Sequence, residues 1–131
     1  MASVIANAGR DITTNRLLGA GTEPKNVGWG TGAGTAAVGD TTLFTEKALD
    51  LVTATGTRPA GTSSRVTTTV ANDTYQVTAT LTASAGGTVT NAGLFDGTTI
   101  AANNLFLKGD FTGVLLAAND SIAFTFKAIY A

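Results

Sequence analysis

A single antiparallel β-sandwich, jelly-roll or immunoglobulin-like in topology, is the all-β fold this sequence predicts, and three observations predict it. Thr74 to Ser84 alternates almost without a break. Tyr75, Val77, Ala79, Leu81 and Ala83 fall on one side, and Thr74, Gln76, Thr78, Thr80 and Thr82 on the other; strand side chains point to opposite faces with period 2. Ile122, Phe124, Phe126, Ala128 and Tyr130 repeat the pattern near the C-terminal end. Between these runs, turn-forming residues recur at spacings of roughly 8–14 residues, the punctuation of a sandwich or barrel.

The elements follow in order. In residues 1–24, Asn7 or Asp11 is available to cap a short helix, Ile12, Leu17 and Leu18 give it apolar weight, and Gly19 ends it. Pro24 prevents its continuation. Residues 25–131 form the sandwich. Asn26 to Trp29 is a short strand, and Gly28 to Gly34 reads as a flexible glycine loop. Leu49, Leu51 and Thr53 alternate as a strand before the Gly56–Gly61 break. Val66, Thr68 and Val70 form the next run, which Ala71-Asn72-Asp73 turns tightly into the Tyr75 strand. Further strands are expected at Val89–Phe95, Ile100–Leu107 and Phe111–Leu116, with a turn at Lys108-Gly109-Asp110. The strands around Thr74–Ser84 and Ser121–Tyr130 have the longest regular apolar faces and are expected at the centre.

Composition narrows the function. The chain has 131 residues, no histidine and no cysteine. The commonest general base, the thiolate nucleophile and the usual zinc clusters are therefore missing, and no catalytic residue, cofactor or metal site is expected. The nine carboxylates are scattered, several of them in turns where an aspartate bonds its own backbone. A net charge of −1 without basic clusters provides no footprint for nucleic acid. No apolar run reaches the roughly 18 residues of a membrane helix, and no signal peptide is expected. Charged residues are only 13% of the chain, against about 25% in ordinary domains. So little charge has two readings, a threonine-rich β surface that solvates itself through its hydroxyls or, the one favoured, a surface covered in an assembly.

The glycine loop lacks the context of a phosphate-binding motif, because no helix can open before Gly39-Asp40. Trp29, between two glycines, has three readings: a core plug, an interface anchor or a platform for a sugar.

Asn26-Val-Gly-Trp-Gly-Thr-Gly32, then Asp40-Thr-Thr-Leu-Phe-Thr-Glu46, Asn91-Ala-Gly-Leu-Phe-Asp96 and the terminal strand Ile122–Tyr130 come in an order that resembles small virion structural proteins of tailed bacteriophages. Capsid decoration (cement) proteins and tail-fibre-like proteins share such patterns. The resemblance implies a non-catalytic protein on the outer capsid surface of the virion that binds the major capsid protein and clamps capsomers against DNA pressure. The alternative it leaves is a receptor- or glycan-binding module of a tail or head fibre. A homo-oligomer, preferably a trimer on three-fold sites, is expected. The N-terminal segment is expected as an arm or a helix, with Val4, Ile5, Ile12, Leu17 and Leu18, together with Trp29, as interface candidates.

Overall fold

The computed structural model describes residues 1–130. Its elements are β1 (Ser3–Ile5), α1 (Asn7–Leu17), β2 (Asn26–Gly30), β3 (Glu46–Lys47), β4 (Thr62–Val66), β5 (Thr74–Thr82), β6 (Gly87–Phe95), β7 (Leu105–Leu116) and β8 (Ser121–Ile129). They form two antiparallel sheets, β1-β7-β6-β2-β3 and β4-β5-β8, packed as a sandwich. Val27, Trp29, Val77, Leu81, Val89, Leu94, Phe106 and Phe126 fill the space between them.

The alternation read in the sequence places β5 and β8 beside each other over nine residues, from Thr74 opposite Ile129 to Thr82 opposite Ser121. β5 is central in its sheet, whereas β8 is an edge strand rather than a central one. Edge position leaves Phe124 and Ile122 only half-buried, despite their alignment with the core face.

Residues 1–24 do not reach out as an arm. β1 pairs with β7, Val4 opposite Lys108, and α1 lies on the same strand, so close that a Cβ on Gly9 would overlap the Phe106 carbonyl oxygen. The helix begins without a side-chain cap on Ala6. It ends as expected at Gly19, whose φ of 78° lets its N–H reach Arg16 O and the Ala20 N–H reach Asn15 O.

Four other expectations change. Leu49–Thr53 is a turn, because the Asp50 carboxylate collects the N–H groups of Val52 and Thr53 at 2.9 and 2.8 Å. β4 starts earlier than expected and stops at Val66. Residues 67–73 form a wide loop held by Asp73, which accepts from the N–H groups of Thr68, Thr69 and Val70. Lys108-Gly109-Asp110 is no turn but the middle of a continuous β7. Its charged side chains have partners elsewhere: Lys108 Nζ meets Asp40 at 2.8 Å, and Asp110 Oδ2 accepts the Ala36 N–H at 2.7 Å.

The glycine segment is the fourth change. Gly28, Trp29 and Gly30 belong to β2, and every residue of that strand is buried. Residues 31–45 run as a strap across the outer face of the larger sheet, capping a second cluster of Ala6, Leu43, Phe95 and Leu105. A Cβ on Gly30 would overlap the Phe44 carbonyl oxygen. Glycine is needed there for close approach of backbone, not for mobility.

Candidate functional site

Two buried ion pairs lie under or beside the strap. Arg58 gives Nε to Glu46 at 2.6 Å and Nη2 to the same carboxylate at 2.9 Å, and its Cζ lies 3.5 Å from the centre of the Phe95 ring. Its remaining donors reach the carbonyls of Gly97 and Ala102 and Asn103 Oδ1, so the buried guanidinium is fully bonded. Lys108, fully buried, sits 3.2 Å from the centre of the Phe44 ring and donates to Asp40 and to Thr42 O. Charges spent inside leave the outside even poorer in charge than the composition implies. Among the described residues no group of three or more Asp or Glu side chains is placed to hold a metal ion, and no helix is long and apolar enough to cross a membrane.

The outer face of the smaller sheet carries Thr62 and Ser64 from β4, Gln76, Thr78, Thr80 and Thr82 from β5, and Ser121, Ala123, Thr125, Lys127 and Ile129 from β8. Thr62, Thr78 and Thr125 stand in one row across all three strands. Thr82 and Ser121 share a hydroxyl hydrogen bond of 2.6 Å. Among the described residues Lys127 is the only charged side chain on this face.

A groove of about 470 Å³ opens beside α1. The helix lays Ile12 onto the core and carries Arg16 and Leu17 along the rim. Pro24 and Glu23 form the opposite lip, Phe106 the floor, and Tyr75 and Tyr130 the far wall. The Tyr75 ring meets Phe106 edge-on, 6.0 Å between centres at 89°. Its hydroxyl lies 3.2 Å from both Glu23 Oε1 and Pro24 O, tying the lip to β5. Hydrogen bonding to Ser63, then Tyr75, with Lys25 and Arg16 nearby, holds the Glu23 carboxyl below its usual range. Burial first, then the Glu23 charge, raises the Tyr75 phenol.

The interface candidates separate on inspection. Leu17 is 84% exposed and Leu18 77%, the two side by side at the end of the helix, and Ile12 is buried beneath the same groove. Val4 and Ile5 are half-buried in β1. Trp29 is 1% exposed and gives its indole N–H to Ala48 O at 3.1 Å, so the core reading holds and the interface and sugar-platform readings fall. Tyr75, Phe106 and Tyr130, the aromatic side of the groove, were not singled out from sequence as one site. They sit on three different strands or strand ends, and only the fold brings them together. Comparisons of the chain with protein-family models, with curated proteins and with solved structures return no match.

Proposed function

We propose that this protein is a non-catalytic structural component of a bacteriophage virion, a decoration protein that docks on the major capsid protein through the shoulder formed by α1 and its groove. One observation carries the reading. Leu17 and Leu18 stand almost fully in solvent beside an apolar groove, an arrangement that buries well only against another surface. The nearly uncharged threonine face supports it, since such a face costs less to desolvate than a charged one where a neighbour covers it. A protein that binds only the assembled shell stabilises that shell by mass action.

The fibre-module alternative has less support. Recognition of a sugar face calls for an exposed aromatic cluster, and Trp29, Phe95, Phe106 and Phe126 are buried, with Tyr130 the one strongly exposed aromatic ring at 55%.

The test is co-sedimentation with purified expanded capsids, comparing the native chain with Leu17→Asp/Leu18→Asp. Both side chains are exposed, so the variant should keep its melting temperature within a few degrees and lose most of its capsid binding. Equal binding by the two proteins removes the α1 shoulder as the docking surface. Failure of the native chain to bind capsids removes the decoration role.

A further inference from the structure

The edge strand β8 carries a second inference, independent of the α1 shoulder. Asp73 N-terminal to β5 and Tyr130 C-terminal to β8 continue the register of the ladder, and the Tyr130 N–H donates to Asp73 O at 2.9 Å. At the other end the Ala83 N–H donates to Asp120 O at 2.8 Å. Hydrogen-bonded pairs alternate along an antiparallel ladder, so the even-numbered residues of β8 turn their main chain to β5. Ser121, Ala123, Thr125, Lys127 and Ile129 therefore direct N–H and C=O off the sheet. Among the described residues no main-chain group meets that edge.

The other outer strands are shorter, with three residues in β1, two in β3 and five in β4. β8 has nine, with no proline and no bulge, and Lys127 is its one charge. Natural edges are normally blunted by such devices. Beneath this edge lies a half-open aromatic seam: Phe111 and Phe124 have ring centres 6.2 Å apart, and Phe124 stacks on Phe126 at 5.7 Å.

We infer that β8 pairs antiparallel with β8 of a second copy of this chain about a two-fold axis at Thr125, joining two three-stranded sheets into one of six. The strand is complementary to itself over its whole length, and the place of its single charge selects the register. An axis at Thr125 places Lys127 opposite the partner's Ala123 and Ser121 opposite the partner's Ile129, using the whole strand and roughly ten main-chain hydrogen bonds. The two lysines then stand roughly 14 Å apart along the strand direction. An axis at Lys127 would set the lysines face to face, and one at Ala123 would leave Lys127 and Ile129 unpaired. On the inner side, the same register sets Phe124 across from the partner's Phe126 and closes the seam. The resulting symmetry is two-fold, not the trimer on three-fold sites expected from the low charge content together with the resemblance to capsid proteins.

Position 123 tests the register. Within one copy Ala123 faces Thr80 across the ladder, so a charge there meets no opposing group until two copies pair. Sedimentation equilibrium of the native chain should give a dimer. Ala123→Glu, set against the partner's Lys127 twice by symmetry, should tighten it roughly five- to tenfold, and Ala123→Lys should weaken it by a similar factor. Hydrogen exchange should slow at Ser121, Ala123, Thr125, Lys127 and Ile129 as concentration rises. A chain that stays monomeric at millimolar concentration overturns the inference. So does a dimer indifferent to the sign of the charge at 123, which would place the contact elsewhere. If Ala123→Lys fails to fold, the Glu variant and the exchange pattern of the native chain still decide.

Discussion

Asn91 holds Phe44 from both sides of its peptide: the Phe44 N–H donates to Asn91 Oδ1 at 3.0 Å, and Asn91 Nδ2 donates to Phe44 O at 3.1 Å. Asn91 is fully buried in β6 and Phe44 lies on the strap, forty-seven residues earlier. This amide pair, with Lys108 and Asp110 from β7, fixes residues 31–45 on the sheet. Asn91→Ala should cost about 1–3 kcal/mol, because it leaves the Phe44 N–H unpaired and its carbonyl with the Gly32 N–H alone. Denaturant unfolding measures the loss, and hydrogen exchange should localise the loosening to the strap.

Gly30→Ala should destabilise the chain by about 1–3 kcal/mol, the usual cost of forcing atoms into a packed site. The added methyl would overlap the backbone of Phe44, which cannot swing aside. Gly39→Ala meets nothing within 4 Å and should be close to neutral. Equal melting temperatures for the two variants would contradict the strap geometry.

Glu46→Ala should cost about 3–5 kcal/mol, since it strands the Arg58 guanidinium under Phe95 without its carboxylate. Chemical denaturation of the single variant measures this. Arg58→Met together with Glu46→Met should recover part of the loss, because apolar replacements leave no buried charge behind.

Leu81→Asp should leave the chain unfolded, as it puts an unpaired charge among fully buried neighbours. Phe124→Asp should still fold, with reduced stability, because that ring is already partly exposed at the open edge. Circular dichroism and size exclusion of the two variants check the contrast.

Acid should destabilise the protein below about pH 4, the ordinary carboxylate range. Glu23, Asp40, Asp50, Asp73 and Asp110 are all held below their usual values. For Asp73 the cause is the Val70 N–H first, then those of Thr68 and Thr69 and the Thr74 hydroxyl. A group with a folded pKa below its unfolded one stabilises the fold above the unfolded value. That contribution fades as pH falls through the folded value. Melting temperatures from pH 7 to pH 2 should therefore drop steeply at the acid end, and Asp73→Asn should flatten the slope.

Period-2 alternation was enough to determine β5 and β8 and the sandwich they imply, because each strand needs only one face buried and writes that need locally. The helix end at Gly19 was legible for the same local reason. The missing histidine and cysteine and the low charge also speak from composition alone. Lys108-Gly109-Asp110 and Gly28–Gly34 misled, since turn chemistry and glycine mobility are local preferences overridden by distant partners. Lys108 is explained by Asp40 and Phe44, and Gly30 by the carbonyl of Phe44, contacts that no window of sequence contains. The same holds for the groove, where Ile12 and Leu17 come from one helix but Tyr75, Phe106 and Tyr130 arrive from separate strands. Whether Trp29 faced a partner or the core was likewise decided by packing: β2 lies between β6 and β3, with the strap on one side and the second sheet on the other, and no surface is left for it.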